Sequence, residues 1–104
     1  MKKINIGSKE KIHFIGIGGI GMSGLAQVMN RMGFHVQGSD LSNSKNIERC
    51  RKIGIKIFSK HNKKNLKDAT IIVRSSAIKN SNPEIVAAKK KKIKIFKRAE
   101  MLGQ

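Results

Sequence analysis

The stretch KIHFIGIGGIGMSGLA, residues 11–26, constrains the fold of this chain more than any other part of the sequence. It begins with a short apolar run, continues through a glycine-rich turn and ends in the start of an amphipathic helix. Gly16, Gly18 and Gly21 have the spacing G-x-G-x-x-G, which is typical of a strand-to-helix turn that binds the diphosphate of a dinucleotide. Glycine-rich turns of this kind also occur as plain structure, so the spacing alone leaves both interpretations open.

The three glycines are expected for different physical reasons. Gly16 permits a tight turn, Gly18 lets the backbone come close to a pyrophosphate, and Gly21 lets the helix pack near the strand. The first turn of the helix then offers unpaired N–H groups and the positive end of its dipole to an anion. No lysine follows in a G-K-[ST] arrangement, so the sequence does not predict the loop that holds the phosphates of ATP.

The net charge of +17 makes nucleic acid a candidate partner. The lysines, however, are spread along the chain among many isoleucines and asparagines, which favours an ordinary solvated surface. Four Phe and no Trp or Tyr also leave little material for stacking on bases. We therefore expect no nucleic-acid partner, and a basic nucleic-acid-binding domain remains an alternative interpretation.

The length of 104 residues suits a single domain. No apolar run approaches a membrane span, and the N-terminus MKKINIGSKEK lacks the apolar segment of a signal peptide. The single cysteine, Cys50, rules out an internal disulfide and fits a reducing compartment. These features predict a cytoplasmic protein with no membrane partner, in which residues 1–10 form an N-terminal arm and residues 11–104 form the domain.

Apolar runs that predict strands alternate with segments that predict helices along the whole chain. The expected strands are Lys11–Ile15, Phe34–Gly38, Ile55–Phe58, Thr70–Arg74 and Ile93–Phe96. Helices are expected between them, and a further helix begins at Arg98. Such alternation predicts an α/β fold with a parallel sheet and right-handed crossovers.

Helical periodicity predicts which side chains face the sheet. The expected buried positions are Met22, Leu25, Ala26, Val28, Met29 and Met32 in the first helix and Ile47, Cys50 and Ile53 in the second. Ser44 is expected to cap the second helix. Asn82 is expected to cap the third, where Glu84 is favourable in the first turn because of the helix dipole.

Four segments should meet at the carboxyl edge of the sheet, where parallel α/β sheets bind ligands. They are residues 16–21, 39–42 and 75–78 and the loop that contains His61. Asp40 follows Gly21 by about 20 residues, the distance at which dinucleotide-binding folds place a carboxylate on the ribose. A turn-capping aspartate would explain that position equally well, and a lone loop histidine such as His61 is more often simply solvated.

Four blocks of sequence occur in the order found in one family: IHFIGIGGIGMSGLA, GSDLS, VRSSAIKNSNPE and KRAEMLGQ. Together they resemble the N-terminal domain of the Mur ligases of peptidoglycan synthesis, over residues 11–104. Within that family they are more similar to the ligases that add L-alanine to UDP-N-acetylmuramate than to murein-peptide ligases. The resemblance implies a three-layer, Rossmann-like domain with a five-stranded parallel sheet that binds the UDP part of UDP-N-acetylmuramate, not NAD.

The resemblance also implies which residues contact the UDP moiety. The glycine loop would hold the diphosphate, residues 39–42 would lie by the uridine, and the other two segments would lie near the base and the outer rim. The residues concerned are Gly16, Ile17, Gly18, Gly19, Ile20, Gly21, Met22, Ser23, Ser39, Asp40, Leu41, Ser42, His61, Ser75, Ser76, Ala77 and Ile78.

In the family, a central domain with a G-x-x-G-K-[ST] type loop binds ATP and Mg²⁺, and a C-terminal domain brings the amino acid. The family reaction activates the muramyl carboxylate as an acyl phosphate before L-alanine is joined to it. These 104 residues contain no such loop, so we expect a domain without catalytic or metal-binding residues that is inactive as a ligase on its own. The alternative, an NAD(P)-binding domain of an oxidoreductase, leaves SSAIKNSNPE and RAEML unexplained.

Overall fold

A computed structural model describes residues 10–102 of the chain. The strands are β1 (Lys11–Ile15), β2 (His35–Ser39), β3 (Lys56–Phe58), β4 (Ile71–Arg74) and β5 (Lys94–Lys97). The helices are α1 (Met22–Arg31), α2 (Lys45–Lys52), α3 (Pro83–Lys90) and α4 (Arg98–Leu102), with a 3₁₀ helix at Lys63–Leu66. None of these helices has the length and apolar character needed to cross a membrane. Of the N-terminal arm expected over residues 1–10, residues 1–9 lie outside the described part.

All five strands run parallel in one sheet, in the order β3-β2-β1-β4-β5. β1 pairs with β2 from Lys11↔His35 onward and with β4 from Ile12↔Ile71 onward, so it is the central strand. An almost unbroken apolar strand is typical of that position, because it is buried on both faces. The predicted α/β fold with a five-stranded parallel sheet is confirmed.

Strands β2, β3, β4 and β5 begin one residue later than predicted, and for β2, β3 and β5 the preceding helices explain why. The N–H groups of Phe34, Ile55 and Ile93 donate to carbonyl oxygens of α1, α2 and α3, at 3.2, 3.1 and 3.0 Å. Each of these residues therefore completes the end of a helix before the chain can pair with the sheet.

Two apolar clusters cover the two faces of the sheet and account for the three layers. β1 contributes to both, because its successive side chains point to opposite faces. Ile12 and Phe14 pack with residues of α1 and α2, while Ile15 packs with Leu66 and Ile85 on the other face. All five of these side chains are fully buried.

Three apolar residues predicted on inner helix faces are instead exposed. Val28 and Met32 are 50% and 67% exposed, so the predicted widening of the α1 stripe was wrong. Val28 is next to Met29 in sequence and hence lies roughly 100° away around the helix, and Met32 follows the last residue of α1. Ile53, 38% exposed, likewise follows the end of α2. The remaining predicted positions are buried: Met22, Leu25, Ala26, Met29, Ile47 and Cys50.

The two predicted helix caps differ in what their side chains do. The Oδ1 atom of Asn82 accepts a hydrogen bond from the N–H of Glu84 at 2.9 Å, which confirms the cap of α3. Ser44 precedes α2, but its hydroxyl caps nothing. The Oγ atom of Ser44 is buried and has no hydrogen-bond partner among residues 10–102. The prediction that this side chain caps α2 was therefore wrong.

Candidate functional site

The glycine turn lies at the carboxyl end of β1 and is fastened to the end of β2. The N–H groups of Gly16 and Ile17 both donate to the carbonyl oxygen of Ser39, at 2.9 and 3.1 Å. Gly16 has a φ of +80°, a conformation that glycine adopts without steric cost. The tight turn predicted at Gly16 is confirmed.

The turn after β4 packs against the same loop. A Cβ atom on Gly16 would lie 3.0 Å from Cβ of Ser75 and 3.2 Å from Cγ1 of Ile78. The Oγ atom of Ser75 accepts a hydrogen bond from the N–H of Ala77 at 3.2 Å, which holds the turn in shape. Ser76 and Ala77 are exposed at its tip. The structure thus brings residues 75–78 beside the glycine turn.

Four backbone N–H groups at the start of α1 have no acceptor within residues 10–102, those of Ile20, Gly21, Ser23 and Gly24. We call them the open amides. The first turn of α1 also has no acidic residue and no side-chain cap, so the helix itself supplies no counter-charge to the positive end of its dipole. Such a set of donors suits an anion with several oxygen atoms.

Asp40 is fixed beside the loop by two hydrogen bonds. Its Oδ2 atom accepts from the N–H of Gly18 and its Oδ1 atom from the N–H of Ser42, both at 2.8 Å. The contact to Ser42 is that of a turn-capping aspartate, one of the two interpretations of the sequence. The contact to Gly18 places the carboxylate at the glycine loop, where a ribose-binding residue would also have to lie.

Gly18 and Gly21 both have close neighbours within the protein. A Cβ atom on Gly18 would lie 2.9 Å from Oδ2 of Asp40 and 2.9 Å from Cδ1 of Ile47, a core residue. A Cβ atom on Gly21 would lie 3.0 Å from Cδ, Nε and Nη1 of Arg98. Gly21 also has a φ of +77°. Its close neighbour is therefore an arginine side chain, not the strand that the sequence pattern led us to expect.

Arg98, the first residue of α4, was not predicted as a site residue. Its side chain lies against Gly21 and so brings a positive charge to the open amides. Among residues 10–102 it has no carboxylate within salt-bridge distance. The block RAEML was the signal in the sequence, but nothing local shows that its arginine returns to the glycine loop.

The apolar residues of the predicted site divide into exposed and buried ones. Ile20 and Leu41 are 96% and 70% exposed, the highest values among the large apolar side chains of residues 10–102. Ile17 and Met22, in contrast, have their side chains in the core. The side chains of Ile17 and Met22 are therefore not available to a ligand, whereas Ile20 and Leu41 offer apolar surface.

Ser39 and His61 form hydrogen bonds with each other and with a glutamate that the sequence did not single out for the site. The Oγ atom of Ser39 donates to Oε1 of Glu84 at 2.7 Å and lies 2.9 Å from Nδ1 of His61. Nδ1 of His61 lies 3.5 Å from Oε2 of Glu84. Ser39 and Glu84 are fully buried, and the side chain of His61 is only 12% exposed. His61 is thus held in place and not solvated.

The same carboxylate has further partners below the edge of the sheet. Its Oε1 atom lies 2.5 Å from Nε2 of His13, and its Oε2 atom accepts from Nδ2 of Asn65 at 2.8 Å and from the N–H of Asn62 at 3.1 Å. Gln37 contacts both His13 and Asn65. We call Ser39, His61, Glu84, His13, Gln37 and Asn65 the buried polar network.

The charge of Glu84 is stabilised by these donors. Burial alone would raise the pKa of the carboxyl group, but the hydrogen bonds from His13, Asn65 and Ser39 outweigh it and lower the pKa of Glu84 to about 2. The group is therefore a carboxylate at neutral pH, although it is fully buried.

A groove of about 580 Å³ lies between the 3₁₀ helix and α3, away from the residues described above. It has four lysines around an apolar floor, and the lining residues are Lys63, Lys64, Pro83, Val86, Ala87, Lys90 and Lys91. None of them belongs to the glycine loop or to the turns beside it. Its lysines include Lys90, the last residue of α3, and Lys91, which follows it.

Comparisons with known proteins agree on one family. The family model described as "Mur ligase family, catalytic domain" matches residues 11–104. A UDP-N-acetylmuramate–L-alanine ligase from Pelagibacter ubique (strain HTCC1062) is 62% identical over 97% of this chain, which spans 22% of that protein.

Two solved structures are similar to the fold described above. The UDP-N-acetylmuramate–alanine ligase from Thermotoga maritima matches 88% of this chain with a TM-score of 0.85 and 38% identity, over 21% of its own length. The UDP-N-acetylmuramate:L-alanyl-γ-D-glutamyl-meso-diaminopimelate ligase from Neisseria meningitides matches 90% of the chain with a TM-score of 0.82 and 25% identity, over 30% of its length. The chain thus spans about a fifth to a third of the proteins it matches.

Proposed function

Since the chain belongs to the Mur ligase family, we propose that it binds the UDP part of UDP-N-acetylmuramate in a ligase that adds L-alanine to that sugar nucleotide. The observation that carries the proposal is the group of four open amides at the carboxyl end of the central strand. A diphosphate has enough oxygen atoms to accept from several of them at once. The 62% identity to a ligase named for that substrate supports the same assignment.

Two kinds of group complement the open amides in this proposal. Arg98 supplies a cation next to Gly21, which suits the charge of the diphosphate. On the side of the nucleoside, the Asp40 carboxylate can only accept hydrogen bonds, so the ribose hydroxyls are suitable partners for it and phosphate oxygens are not. The exposed side chains of Ile20 and Leu41 would be covered by an apolar ring face.

The complete ligation needs chemistry that the proposed site does not perform. We propose that ATP and Mg²⁺ bind to other domains of the full ligase, which also bring the L-alanine. In that arrangement this domain holds the substrate by its nucleotide end and thereby places the muramyl carboxylate within reach of the ATP site. The residues described here bind and orient, and none of them reacts.

The test is a titration of the ¹⁵N-labelled chain followed by NMR, with UDP, NADH and a random oligonucleotide as separate ligands at moderate salt. UDP should shift the signals of residues 16–24, 39–42 and 75–78, with NADH and the oligonucleotide weaker. Shifts that scatter over Lys89–Lys92 would show that charge binds the ligand, and a stronger response to NADH would favour a dinucleotide site.

Gly24 offers a matched pair of variants for the open amides. A Cβ atom at Gly24 meets nothing within 4 Å, so Gly24→Ala adds a methyl group in open space and keeps the N–H. Gly24→Pro removes that N–H in the first turn of a helix, where proline is tolerated. We expect Gly24→Ala to bind UDP like the wild type and Gly24→Pro to bind about tenfold to a hundredfold more weakly, the value of one hydrogen bond to a charged group. Equal affinities would exclude this amide from the site.

A further inference from the structure

The buried polar network contains enough hydrogen-bond donors and acceptors to fix the positions of its protons. The proton positions at the His13 end of the network follow from Gln37, whose Nε2 atom lies 2.7 Å from the carbonyl oxygen of Asn65. A carbonyl oxygen only accepts, so this atom of Gln37 is the amide nitrogen and not its oxygen. The same nitrogen lies 2.8 Å from Nδ1 of His13, which must therefore accept. The proton of His13 is then on Nε2 and is donated to Glu84.

The proton positions at the His61 end of the network follow from the hydroxyl group of Ser39, which has a single proton to donate. Ser39 donates that proton to Oε1 of Glu84, because a carboxylate oxygen can only accept. The Oγ atom of Ser39 is then an acceptor toward Nδ1 of His61, 2.9 Å away. His61 consequently carries a proton on Nδ1.

The second ring nitrogen of His61 is left with a lone pair. Nε2 has no hydrogen-bond partner among residues 10–102, and His61 follows β3 at the edge of the sheet where Asp40 also lies. In a neutral imidazole with its proton on Nδ1, Nε2 is an acceptor only. A ligand at this edge would therefore have to offer it a donor.

We propose that Glu84 is a positioning residue for the nucleotide site: acting through Ser39, it holds His61 as the Nδ1–H tautomer, so that Nε2 accepts a hydrogen bond from a nucleobase that has a ring N–H. The ligand half of this inference rests on the proposed function. Uracil has such a donor at N3, whereas the N3 atom of cytosine is an acceptor. Glu84 would thereby contribute to the choice of uridine nucleotides although it touches no ligand.

The variant Glu84→Gln should invert the tautomer. The new side-chain amide cannot satisfy every donor around it. With its oxygen facing Asn62 and Asn65, its nitrogen opposes the Nε2–H of His13, whereas in the reverse orientation the nitrogen opposes the two donors of Asn62 and Asn65. The first orientation opposes fewer donors, and in it the nitrogen also faces Ser39. The Ser39 hydroxyl then accepts a hydrogen bond from this nitrogen and turns its own proton toward His61. Nδ1 of His61 becomes an acceptor, and its proton moves to Nε2.

The tautomer is read directly from a long-range ¹H–¹⁵N correlation spectrum of the imidazole groups in the whole chain at pH 8, without ligand. We expect His61 to be protonated on Nδ1 in the wild type and on Nε2 in Glu84→Gln. Ser39→Ala removes the hydroxyl group that links His61 to Glu84 and keeps the carboxylate. It should therefore abolish the preference of His61 for the Nδ1–H tautomer, even if Glu84→Gln fails to fold. A wild-type His61 protonated on Nε2, or an Nδ1–H tautomer that persists in the folded variants, would overturn the proposal.

The ligand half is tested with UDP and CDP as probes. The wild type should bind UDP about threefold to tenfold more tightly than CDP, the range of one neutral hydrogen bond. His61→Ala and Glu84→Gln should bring this ratio close to one, whereas a loss of stability alone would weaken both ligands alike. A ratio of one in the wild type would overturn the role of His61 in base selection. If UDP does not bind but the tautomers are as expected, the proposed function fails and the positioning of His61 by Glu84 stands.

Discussion

Acid should destabilise this chain mainly through Glu84. The pKa of its carboxyl group is about 2 in the folded protein against 4.5 for the unperturbed group, because the donors around it outweigh the effect of burial. Below pH 4.5 the unfolded chain therefore binds a proton that the folded chain does not. The stabilisation is complete above that pH and is lost as the pH falls toward about 2. A difference of this size corresponds to at most about 3 kcal/mol, because part of it comes from the attraction of a charged His13 and the imidazole inferred above is neutral. Even so, it is a large part of the stability of a small domain.

The assay is urea unfolding followed by circular dichroism at a series of pH values from 7 to 2, for the wild type and for Glu84→Gln. At pH 7 we expect the variant to be less stable by about 3 kcal/mol, because buried donors lose an acceptor. The wild type should then lose up to about 3 kcal/mol more than the variant between pH 5 and pH 2. The two free energies of unfolding should converge in acid.

Asp68 provides the control for this experiment. The hydrogen bond from Lys11, at 2.8 Å, also lowers the pKa of Asp68, but this carboxylate is exposed. Asp68→Asn should therefore leave the acid sensitivity of the chain almost unchanged. Curves for the wild type and Glu84→Gln that run parallel from pH 7 to pH 2 would refute the reasoning. A carboxyl ¹³C titration in which Glu84 is protonated at pH 4 would do the same.

Three further predictions concern stability at neutral pH, each measured by urea unfolding. Gly38→Ala should destabilise the chain by about 2–3 kcal/mol, because the new Cβ would lie 2.8 Å from Cβ of Ile17, an atom that side-chain rotation cannot move. A loss of stability below about 0.5 kcal/mol would contradict this close contact between Gly38 and Ile17. Gly24→Ala should stabilise it by about 0.5–1 kcal/mol, since alanine favours the helix and its methyl group meets nothing; a loss of stability would contradict this. Asn82→Ala should lower the free energy of unfolding by about 1 kcal/mol, because it removes the cap of α3. Ser44→Ala should leave the stability unchanged or raise it, because the Ser44 hydroxyl has no partner among residues 10–102. Equal losses for the two variants would show that Ser44 does cap α2.

The fold was predictable because its signals are local. The apolar run of β1, the glycine turn and the stripe of Met22, Leu25 and Ala26 all lie within one short stretch of sequence, and each specifies its own element. The alternation of strands and helices then leaves few topologies. The errors were local as well, since Val28 and Met32 were assigned by hydrophobicity and not by their angle around the helix.

The candidate site was predictable only in part, because its chemistry depends on residues that are distant in sequence. The pattern indicated the glycine loop, Asp40 and His61, but it gave Glu84 only the role of a favourable charge near a helix start. What distinguishes Glu84 is burial against Ser39 and His13, which come from two other strands. His13, between the apolar residues Ile12 and Phe14 of the central strand, was a visible hint, because a buried imidazole needs partners.

The buried polar network also explains how a mostly apolar fold can have a rigid edge. Apolar contacts between strands and helices tolerate small shifts, whereas a network in which every proton has one acceptor does not. A displacement of α3 would take Glu84 away from His13 in β1, Ser39 in β2 and Asn65 in the 3₁₀ helix at the same time. Each broken contact would leave a polar group unpaired inside the protein, so the arrangement is held at several points at once. The elements that the network joins are those that place Ser39 and His61 at the proposed nucleotide site, which is where a ligand needs a preorganised surface.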